Sequence, residues 1–324
     1  MNILILSAGT RNKVVQYFKE ELGDLGNIIC TDMSEYAPAI YEGDKYYITP
    51  PIKDENYIEN LLEICKKEKV DAMISLIDPE LSLLAKNKKA FEEIGVKLVQ
   101  SNPLLINKSF DKWEFYNEVI SKGFKSQLSF TDYVELQNLL ERKIMNFPVF
   151  VKPINGSASL NINKIDNSET LNQILENNKN LIIQEYIDGK EYGIDVYVDL
   201  ISEKVVSIFI KEKIKMRSGE TDKSISIKND KIFDLIKNFV EEMGYVGPID
   251  IDLFEKDGDY YISEVNPRFG GGYPHAYMAG CNFPKYILNN IKGKLNDINI
   301  GNYEEGNVMM KFNEIMFMEG NKNE

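Results

Sequence analysis

The stretch that decides the fold is Glu264-Val265-Asn266-Pro267-Arg268, which follows Asp250-Ile251-Asp252 by eleven residues. Asp250-Ile251-Asp252 lies within the segment 247–255, and Glu264 lies near the end of the segment 259–265; the pattern of both segments predicts β-strands. Side chains alternate along a strand, so the two aspartates share one face, and so do Glu264 and Asn266. Two neighbouring strands can therefore present several side-chain oxygens to one patch.

This oxygen-rich patch has the chemistry of a magnesium site. Mg²⁺ prefers oxygen ligands, usually keeps bound waters and bridges phosphate groups. Arg268 lies just past the predicted strand, where a guanidinium can stabilise charge on a transferring phosphoryl group. Spacing alone leaves open the alternative of a polar, solvent-facing hairpin edge.

A second segment, Phe150-Val151-Lys152-Pro153, places a lysine at a predicted strand end before the small residues of Asn155-Gly156-Ser157-Ala158-Ser159. One ammonium and several backbone N–H groups can surround phosphates in such a place. The chain contains no GxxxxGK[ST] sequence, so this is not a Walker A loop. The alternative is a simple hairpin turn with an exposed lysine.

A third segment, Gln184-Glu185-Tyr186-Ile187-Asp188-Gly189-Lys190-Glu191, runs from a predicted strand into a turn. Its backbone could meet a flat base and its carboxylates could meet ribose hydroxyls. On its own, this segment favours a plain strand–turn–strand.

A fourth segment, Phe269-Gly270-Gly271-Gly272-Tyr273-Pro274-His275, begins directly after Arg268. Three glycines permit close backbone approach and positive φ angles, which suit a loop around a small substrate or oxyanion. His275 is the one histidine of the chain. It is a candidate proton donor or acceptor, with a packing role as the favoured alternative.

The first hundred residues alternate strands and helices, which predicts βαβ units with a parallel sheet. The predicted strands are 2–6, 27–31, 71–77 and 95–99. A predicted helix follows strand 2–6, another at 56–68 precedes strand 71–77, and a third follows that strand. Ligands bind beyond the carboxyl ends of strands in such sheets. Residues 7–11 and 78–80 lie at two of these ends.

Beyond residue 125 the chain has closely spaced strands and few helices, which predicts antiparallel sheets. The segment between residues 100 and 125 is predicted to be a helical connection. The later predicted elements are strands at 147–152, 181–187, 192–200, 204–213 and 307–318, with helices at 229–243 and 281–292.

Composition narrows the classes of function. The 324 residues carry a formal charge of −13, and such an acidic surface disfavours nucleic acid as a partner. Three cysteines fit no zinc pattern or disulfide framework. With no signal peptide and no long apolar run, a cytoplasmic protein without a membrane partner is expected.

The order of these segments along the chain resembles the ATP-grasp superfamily, most closely its branch similar to the carbamoyl phosphate synthase large subunit. The resemblance covers nearly all of the chain. It implies an α/β and α+β fold in which a parallel-sheet, Rossmann-like pre-ATP-grasp domain, 1–105, precedes an ATP-grasp domain, 106–324. That second domain would comprise a small lid subdomain, about 125–187, and a larger subdomain, about 188–324, with antiparallel sheets.

The resemblance also implies roles for individual residues. ATP would be bound by Lys112, Lys152, Ser157, Gln184, Glu185, Tyr186, Ile187 and Glu191, with residues 185–187 as the adenine hinge and Glu191 on the ribose. Mg²⁺, with Mn²⁺ as a substitute, would be bound by Asp252, Glu264 and Asn266. Arg268 would stabilise the transferring phosphoryl group.

Two further sets are hypotheses from strand geometry. Lys211, Lys213, Lys215 and Arg217 alternate along a predicted strand and would form one basic stripe. One interpretation is that the stripe faces the triphosphate or an anionic substrate, which makes Lys211 and Arg217 candidate catalytic residues. The alternative is that it faces solvent. Ser7, Thr10 and Arg11 end the first strand and are candidate contacts for a second substrate.

The implied activity is that of an ATP- and Mg²⁺-dependent ligase, in which a carboxylate attacks the γ-phosphate and an amine or similar nucleophile displaces phosphate from the acyl phosphate. The expected partners are therefore a small acid and an amine, and a homodimer is expected from the habit of the family. Two alternatives remain: a kinase that stops at the phosphorylated product, and a non-catalytic nucleotide-binding regulatory protein.

Overall fold

The structure is a computed structural model that describes residues 1–156, 163–178 and 180–318. Three sheets organise it: five strands within residues 2–98, four within 129–185 and six within 190–310. The predicted combination of an N-terminal parallel sheet with later antiparallel sheets is confirmed. The exact domain boundaries stay a prediction.

The first sheet is parallel throughout, with the order β3-β2-β1-β4-β5. Its strands are β1 (Asn2–Leu6), β2 (Asn27–Asp32), β3 (Lys45–Ile48), β4 (Ala72–Ser75) and β5 (Lys97–Leu98). Its helices are α1 (Asn12–Leu22), α2 (Tyr57–Glu68), α3 (Asp78–Lys86) and α4 (Lys88–Glu93), with 3₁₀ turns at Gly23–Leu25 and Pro38–Glu42. The central strands are buried apolar runs, as expected for a parallel sheet covered on both faces.

The edge strand β3 was not predicted. Its residues Lys45, Tyr46 and Ile48 are exposed and Tyr47 is half-buried, so the strand lacks the apolar run that identified its neighbours. Pairing with β2 holds it in place.

The predicted helical connection between residues 100 and 125 is confirmed as two capped helices, α5 (Pro103–Phe110) and α6 (Lys112–Ser121). The side chain of Asn102 accepts a hydrogen bond from the Leu105 N–H, and Asp111 accepts from the N–H groups of Trp113 and Glu114. Such caps satisfy backbone donors that have no partner inside the helix.

The second sheet is antiparallel, with the order β6-β9-β7-β8. Its strands are β6 (Ser129–Phe130), β7 (Val149–Pro153), β8 (Asn163–Ile165) and β9 (Leu181–Glu185). Two helices that were not predicted, α7 (Tyr133–Glu141) and α8 (Ser168–Asn177), cover one face through Leu136 and Leu171. Asp132 and Asn167 cap them and were the available sequence signals.

The third sheet is also antiparallel and has the order β14-β13-β10-β11-β12-β15. Its strands are β10 (Lys190–Val198), β11 (Val205–Arg217), β12 (Glu220–Ile227), β13 (Gly247–Lys256), β14 (Asp259–Asn266) and β15 (Val308–Met310). Its helices are α9 (Asp230–Met243), α10 (Tyr273–Met278) and α11 (Phe283–Ile291).

Two predictions for this sheet are corrected. Strand β12 was missed, and the final strand was predicted over 307–318 but spans Val308–Met310. The antiparallel register pairs Met310 with Lys223, close to the start of β12 at Glu220, so the chain beyond Met310 soon runs out of partner strand.

One apolar core joins the first sheet to the third. It contains Phe18 of α1, Phe209 of β11, Phe269, and Phe283 of α11. The Phe18 and Phe269 rings meet edge to face with centroids 5.8 Å apart. This contact packs α1 against the residue that directly precedes the glycine segment 270–272.

We expect Phe283→Ala to lower the free energy of unfolding by about 3–5 kcal/mol, because Phe283 is 1% exposed and its removal leaves a cavity in this joint core. Phe312→Ala is the matched control, since Phe312 is 82% exposed and its loss should change stability by about 0.5 kcal/mol or less. Urea unfolding followed by circular dichroism measures both. Equal effects of the two substitutions would contradict the described core.

Candidate active site

The acidic and amide side chains of β13 and β14 lie opposite one another. Asp252 pairs in register with Glu264, and Asp250 pairs with Asn266. Adjacent strands thus present the predicted metal-binding set, Asp252, Glu264 and Asn266, in one place. Within the described residues, no group of three or more His, Cys, Asp or Glu side chains is arranged to hold a metal ion. The predicted set is two carboxylates with one amide.

Lys213 of β11 connects this patch to the predicted ribose residue. Its Nζ atom donates to Asp252 Oδ1 at 2.6 Å and to Glu191 Oε1 at 2.7 Å. Burial lowers the pKa of Lys213 and the two carboxylates raise it more, so the ammonium stays charged. Asp252 and Glu191 therefore share one cation, which offsets part of their combined negative charge.

Two lysines approach the same patch from the other side. Lys152 of β7 is 8% exposed, and its Nζ atom lies 3.9 Å from Glu264 Oε2. Lys112, at the start of α6, donates to the carbonyl oxygen of Gly156 at 2.5 Å. Burial lowers the pKa of Lys112 and the Lys152 charge acts in the same direction, while the Glu264 carboxylate opposes them in part. Ser157, the remaining predicted phosphate contact, lies outside the described residues.

The predicted adenine hinge connects the second sheet to the third, since β9 ends at Glu185 and β10 begins at Lys190. Lys256 of β13 donates to Glu185 Oε1 at 2.9 Å, which ties the two sheets together here. Gly189 is required because a Cβ atom would lie 2.0 Å from the Glu255 carbonyl oxygen.

The other hinge side chains pack around this connection. The Gln184 side chain is buried, and its amide nitrogen donates to Ser129 Oγ at 2.8 Å. Its side-chain amide oxygen is also buried and has no partner in the part of the chain that the structure describes. The Tyr186 ring meets Phe150 edge to face, with centroids 5.3 Å apart, and Ile187 is buried. The hinge therefore has an apolar wall, and a buried amide side chain lies beside it.

Arg268, just after β14, is held by Asp78 at the start of α3, by the backbone of Phe269 and by Asp250 of β13. Its Nε and Nη2 atoms donate to Asp78 Oδ2 at 3.3 and 3.1 Å, and Nη1 donates to the Phe269 carbonyl oxygen at 3.0 Å. Nη1 also lies 3.6 Å from Asp250 Oδ2. Burial lowers the pKa of Arg268, but Asp78 and Asp250 raise it above its ordinary value. Its guanidinium is therefore fixed and charged.

Asp250 itself is an unusual carboxyl group. Its pKa is raised to about 6, mainly by burial and secondly by repulsion from the Asp252 carboxylate. This shift reflects how closely the carboxylates of β13 and β10 are packed in this region.

The three glycines of 270–272 allow side chains to pack closely against the backbone, and they do not adopt positive φ angles. The part of the prediction that concerned positive φ is therefore corrected. None of the three has a positive φ angle. A Cβ atom on Gly270 would lie 2.4 Å from Asp250 Oδ1, and one on Gly272 would lie 2.6 Å from Lys211 Cε. A Cβ atom on Gly271 would lie 2.7 Å from Glu220 Cδ and 2.8 Å from Arg11 Nη1. Charged side chains from three strands of the third sheet and from the start of α1 therefore pack against this glycine backbone.

Arg11 comes to the glycine loop from the carboxyl edge of the first sheet. Its Nη1 atom lies 2.7 Å from Glu220 Oε1 of β12, and Glu220 Oε2 also accepts from Lys311 at 2.8 Å. Of the other predicted contacts at this edge, Ser7 donates to the buried Glu80 at 2.9 Å, and Thr10 is exposed.

Glu220, Lys311 and Asp78 were not among the predicted site residues. Asp78 had a usable signal, because it follows β4 at the carboxyl edge where Arg11 also lies. Glu220 and Lys311 had none, because their strand pairing becomes evident only in the folded sheet.

The expected single basic stripe along β11 is wrong. The register between β11 and β12 shifts between Lys213 and Lys215 and again after Lys215, so alternate residues no longer share one face. Lys211 is 1% exposed and pairs with buried Asp195, whereas Lys215 and Arg217 are exposed and Arg217 pairs with Asp222 at 2.9 Å. Catalytic roles for Lys211 and Arg217 stay predictions, and the two lie in different environments.

His275 is a packed residue. It is buried, its Nδ1 atom lies 2.8 Å from Ser224 Oγ, and its ring meets Phe209 edge to face. Burial, together with the Lys211 charge, lowers its pKa to about 4. The imidazole is therefore neutral near pH 7, which favours the packing alternative over proton transfer.

Two protein-family models match consecutive parts of this chain. A family model described as an ATP-grasp domain matches residues 110–272, and one described as a PylC-like N-terminal domain matches residues 3–99. An uncharacterized protein of Methanocaldococcus jannaschii is 28% identical over 305 residues, which are 90% of this chain and 74% of that protein. The carbamoyl phosphate synthase large chain of Halomonas eurihalina is 24% identical over 255 residues. These are 74% of this chain and only 23% of that protein.

Solved structures share the fold. The biotin carboxylase domain dimer of Hydrogenobacter thermophilus 2-oxoglutarate carboxylase, in complex with MgADP, ADP and bicarbonate, has a TM-score of 0.77 at 16% identity, covering 95% of this chain and 73% of that one. The N5-carboxyaminoimidazole synthetase of Staphylococcus aureus, complexed with ADP, has a TM-score of 0.72 at 18% identity, covering 92% and 79%. In the described part of this chain, no helix is long and apolar enough to cross a membrane.

The buried imidazole offers a direct test of the packing behind the glycine loop. In an untagged chain, the one histidine gives one set of imidazole NMR signals, and we expect these to show no titration between pH 8 and pH 5.5 because the pKa is lowered to about 4. The contribution of His275 to stability is then present above its unfolded pKa of about 6.5 and decreases as the pH falls toward 4. A midpoint near 6.5 in the folded chain would show that the ring is solvated.

Proposed function

This chain belongs to the ATP-grasp family, and from that premise we propose that it is an ATP- and Mg²⁺-dependent ligase that activates a carboxylate as an acyl phosphate and joins it to an amine or similar nucleophile. Family membership agrees with the sequence-based prediction of an ATP-dependent ligase with ATP and Mg²⁺ as cofactors. The choice of acid and amine, and a homodimeric state, belong to the proposal.

The observation that carries the proposal is the meeting of Lys152 and Glu264 across two sheets, 3.9 Å apart. Lys152 comes from the second sheet and Glu264 from the third. Lys112 adds a second, half-buried ammonium, whose hydrogen bonds within the described residues go to the backbone oxygens of Ile154 and Gly156. Two ammonium groups on one side of this patch, with Glu264 as the acid that acts on both, fit a polyanion such as a triphosphate.

The nucleotide would then lie between the second and third sheets. The proposed adenine contacts are residues 184–187, whose apolar wall suits a flat base. Glu191 is the proposed ribose contact, because its carboxylate lies beside the hinge and is half-buried. Lys112 and Lys152, with Ser157, are the proposed phosphate contacts.

The metal-binding proposal rests on the donor chemistry of β13 and β14. Asp252, Glu264 and Asn266 offer only oxygen ligands, which suit Mg²⁺ or Mn²⁺. When bound, the metal would neutralise charge on the phosphate oxygens. Because Lys213 donates to Asp252 Oδ1, a metal bound there would share that carboxylate with an ammonium.

The proposed reaction has two steps. A carboxylate oxygen of the acid attacks the γ-phosphorus and ADP leaves, with Arg268 stabilising the charge that spreads over the transferring oxygens. The amine nitrogen then attacks the acyl carbon, phosphate leaves, and the nitrogen loses a proton. Arg268 is suited to the first step because Asp78 and the Phe269 carbonyl oxygen hold its guanidinium in one orientation.

Each alternative function has a distinct expectation. A kinase would use the same phosphoryl chemistry and release a phosphorylated acid, because no amine would be joined. A non-catalytic nucleotide-binding protein would bind ATP without turnover. The retention of Asp252, Glu264, Asn266 and Arg268 in one region favours an enzyme over the non-catalytic alternative.

We expect purified protein with MgATP to release ADP and phosphate in the presence of the correct acid and amine. The assay presents single amino acids and small acids, alone and in pairs, and mass spectrometry identifies an amide or a phosphorylated product. Omission of Mg²⁺ should abolish release, because the triphosphate charge is then not neutralised. ATP binding without ADP release across the panel would count against the ligase.

Arg268→Lys should reduce kcat by about 10²- to 10³-fold with little change in the KM for ATP, because a point charge replaces a guanidinium that is oriented by two partners. Lysine keeps a positive charge beside Asp78, so the fold should be preserved. Arg142→Gln is the matched control, since Arg142 is exposed at the end of α7. Equal kcat values for both variants would show that Arg268 does not act on the transferring group.

A further inference from the structure

Arg11 is an arginine with unused hydrogen-bonding capacity at the glycine loop. Its side chain is 23% exposed, and within the described residues Nη1 is its one side-chain nitrogen that meets a protein acceptor, Glu220. A guanidinium offers five N–H donors. None of the Arg11 nitrogens is buried without a partner, so the remaining donors face accessible space.

The other cations around this loop are engaged more fully. Arg268 donates to Asp78 through two nitrogens and to the Phe269 carbonyl oxygen through a third. Lys211 is sealed in its ion pair with Asp195. Lys311 holds Glu220, and an ammonium cannot offer the planar pair of donors that matches a carboxylate.

Arg11 and Arg268 also flank one short backbone segment. The Arg11 guanidinium packs on Gly271, and the Arg268 guanidinium binds the carbonyl oxygen of Phe269, two residues earlier. Asp250 packs on Gly270 and lies 3.6 Å from Arg268 Nη1. An anion that reaches Arg268 along this loop therefore lies next to Arg11.

Glu220 is a counter-ion that can release Arg11 without becoming isolated. One of its oxygens pairs with Arg11 and the other accepts from Lys311. A carboxylate left without a partner in a partly buried site is costly. Lys311 removes that cost when an external carboxylate takes the place of Glu220 on Arg11.

We propose that Arg11 binds the carboxylate of the acid substrate, that this carboxylate displaces Glu220 from Arg11, and that Lys311 retains Glu220. This inference rests on the proposed function and adds to it the residue of the first sheet that positions the acid beside Arg268. The substrate class is a small carboxylate that is presented to Arg11 as a free anion.

The steady-state test uses the acid from the panel that gives the fastest ADP release. Arg11→Gln should raise the KM for that acid by about tenfold or more, because a charge-assisted pair is lost, and should leave the KM for ATP within about twofold. Arg11→Lys should recover part of the loss. Glu220→Gln should lower the KM for the acid by about threefold, because the competing carboxylate is gone. Arg142→Gln is the control.

A second measurement does not depend on turnover. Phenylglyoxal modifies accessible arginines in the full chain with MgADP present, and peptide mass spectrometry reports the rates at Arg11 and Arg142. Acetate, L-alanine and L-glutamate are added singly. At least one of them should slow modification of Arg11 and leave Arg142 unchanged, and Glu220→Gln should move the protection to lower concentration.

The outcomes separate this inference from the proposed function. An acid that drives ADP release with the same KM in wild type and Arg11→Gln overturns the role of Arg11 and leaves the ligase intact. If no acid drives ADP release but one protects Arg11, the ligase proposal fails and the carboxylate site stands. If no carboxylate drives release or protects Arg11, the role of Arg11 is overturned.

Discussion

The arrangement of the site depends on one packing constraint: the backbone of Gly270–Gly272 admits no side chain. The space that a Cβ atom would need is occupied by Asp250 at Gly270, by Glu220 and Arg11 at Gly271, and by Lys211 at Gly272. These side chains come from the third sheet and from the edge of the first sheet. Because buried charges are stable only when they are paired at close range, the glycine segment lets the ion pairs of two sheets meet.

The charges of the site form short chains that extend outward from this constraint. Glu191, Lys213 and Asp252 make one chain, Asp78, Arg268 and Asp250 a second, and Arg11, Glu220 and Lys311 a third. Each chain orients side chains that a flexible surface would leave mobile. Orientation before binding is the property that phosphoryl transfer requires, since its catalysis is mostly positioning and charge stabilisation.

The parts of the fold that the sequence predicted are those with a strong local signal. Apolar runs identified β1, β2 and β4, and the alternation of acids and amides on β13 and β14 identified a shared face that the register bears out. Strands β3 and β12 escaped because their exposed or polar residues interrupt the apolar pattern. The basic stripe failed because two register shifts in β11 cannot be seen from alternation alone. Long-range partners such as Glu220 and Lys311 depend on which strands pair, and spacing carries no information about that.

The central claim is that a nucleotide binds between the second and third sheets, and hydrogen exchange with MgADP tests it most directly. Backbone amides in 149–153, 181–187 and 250–266 should exchange more slowly when MgADP is bound, because the proposed contacts for phosphate, adenine and metal lie there. The loops at 7–11 and 76–80, at the carboxyl edge of the parallel sheet, should change much less. Protection confined to those two loops would place the nucleotide on the first sheet and contradict the account.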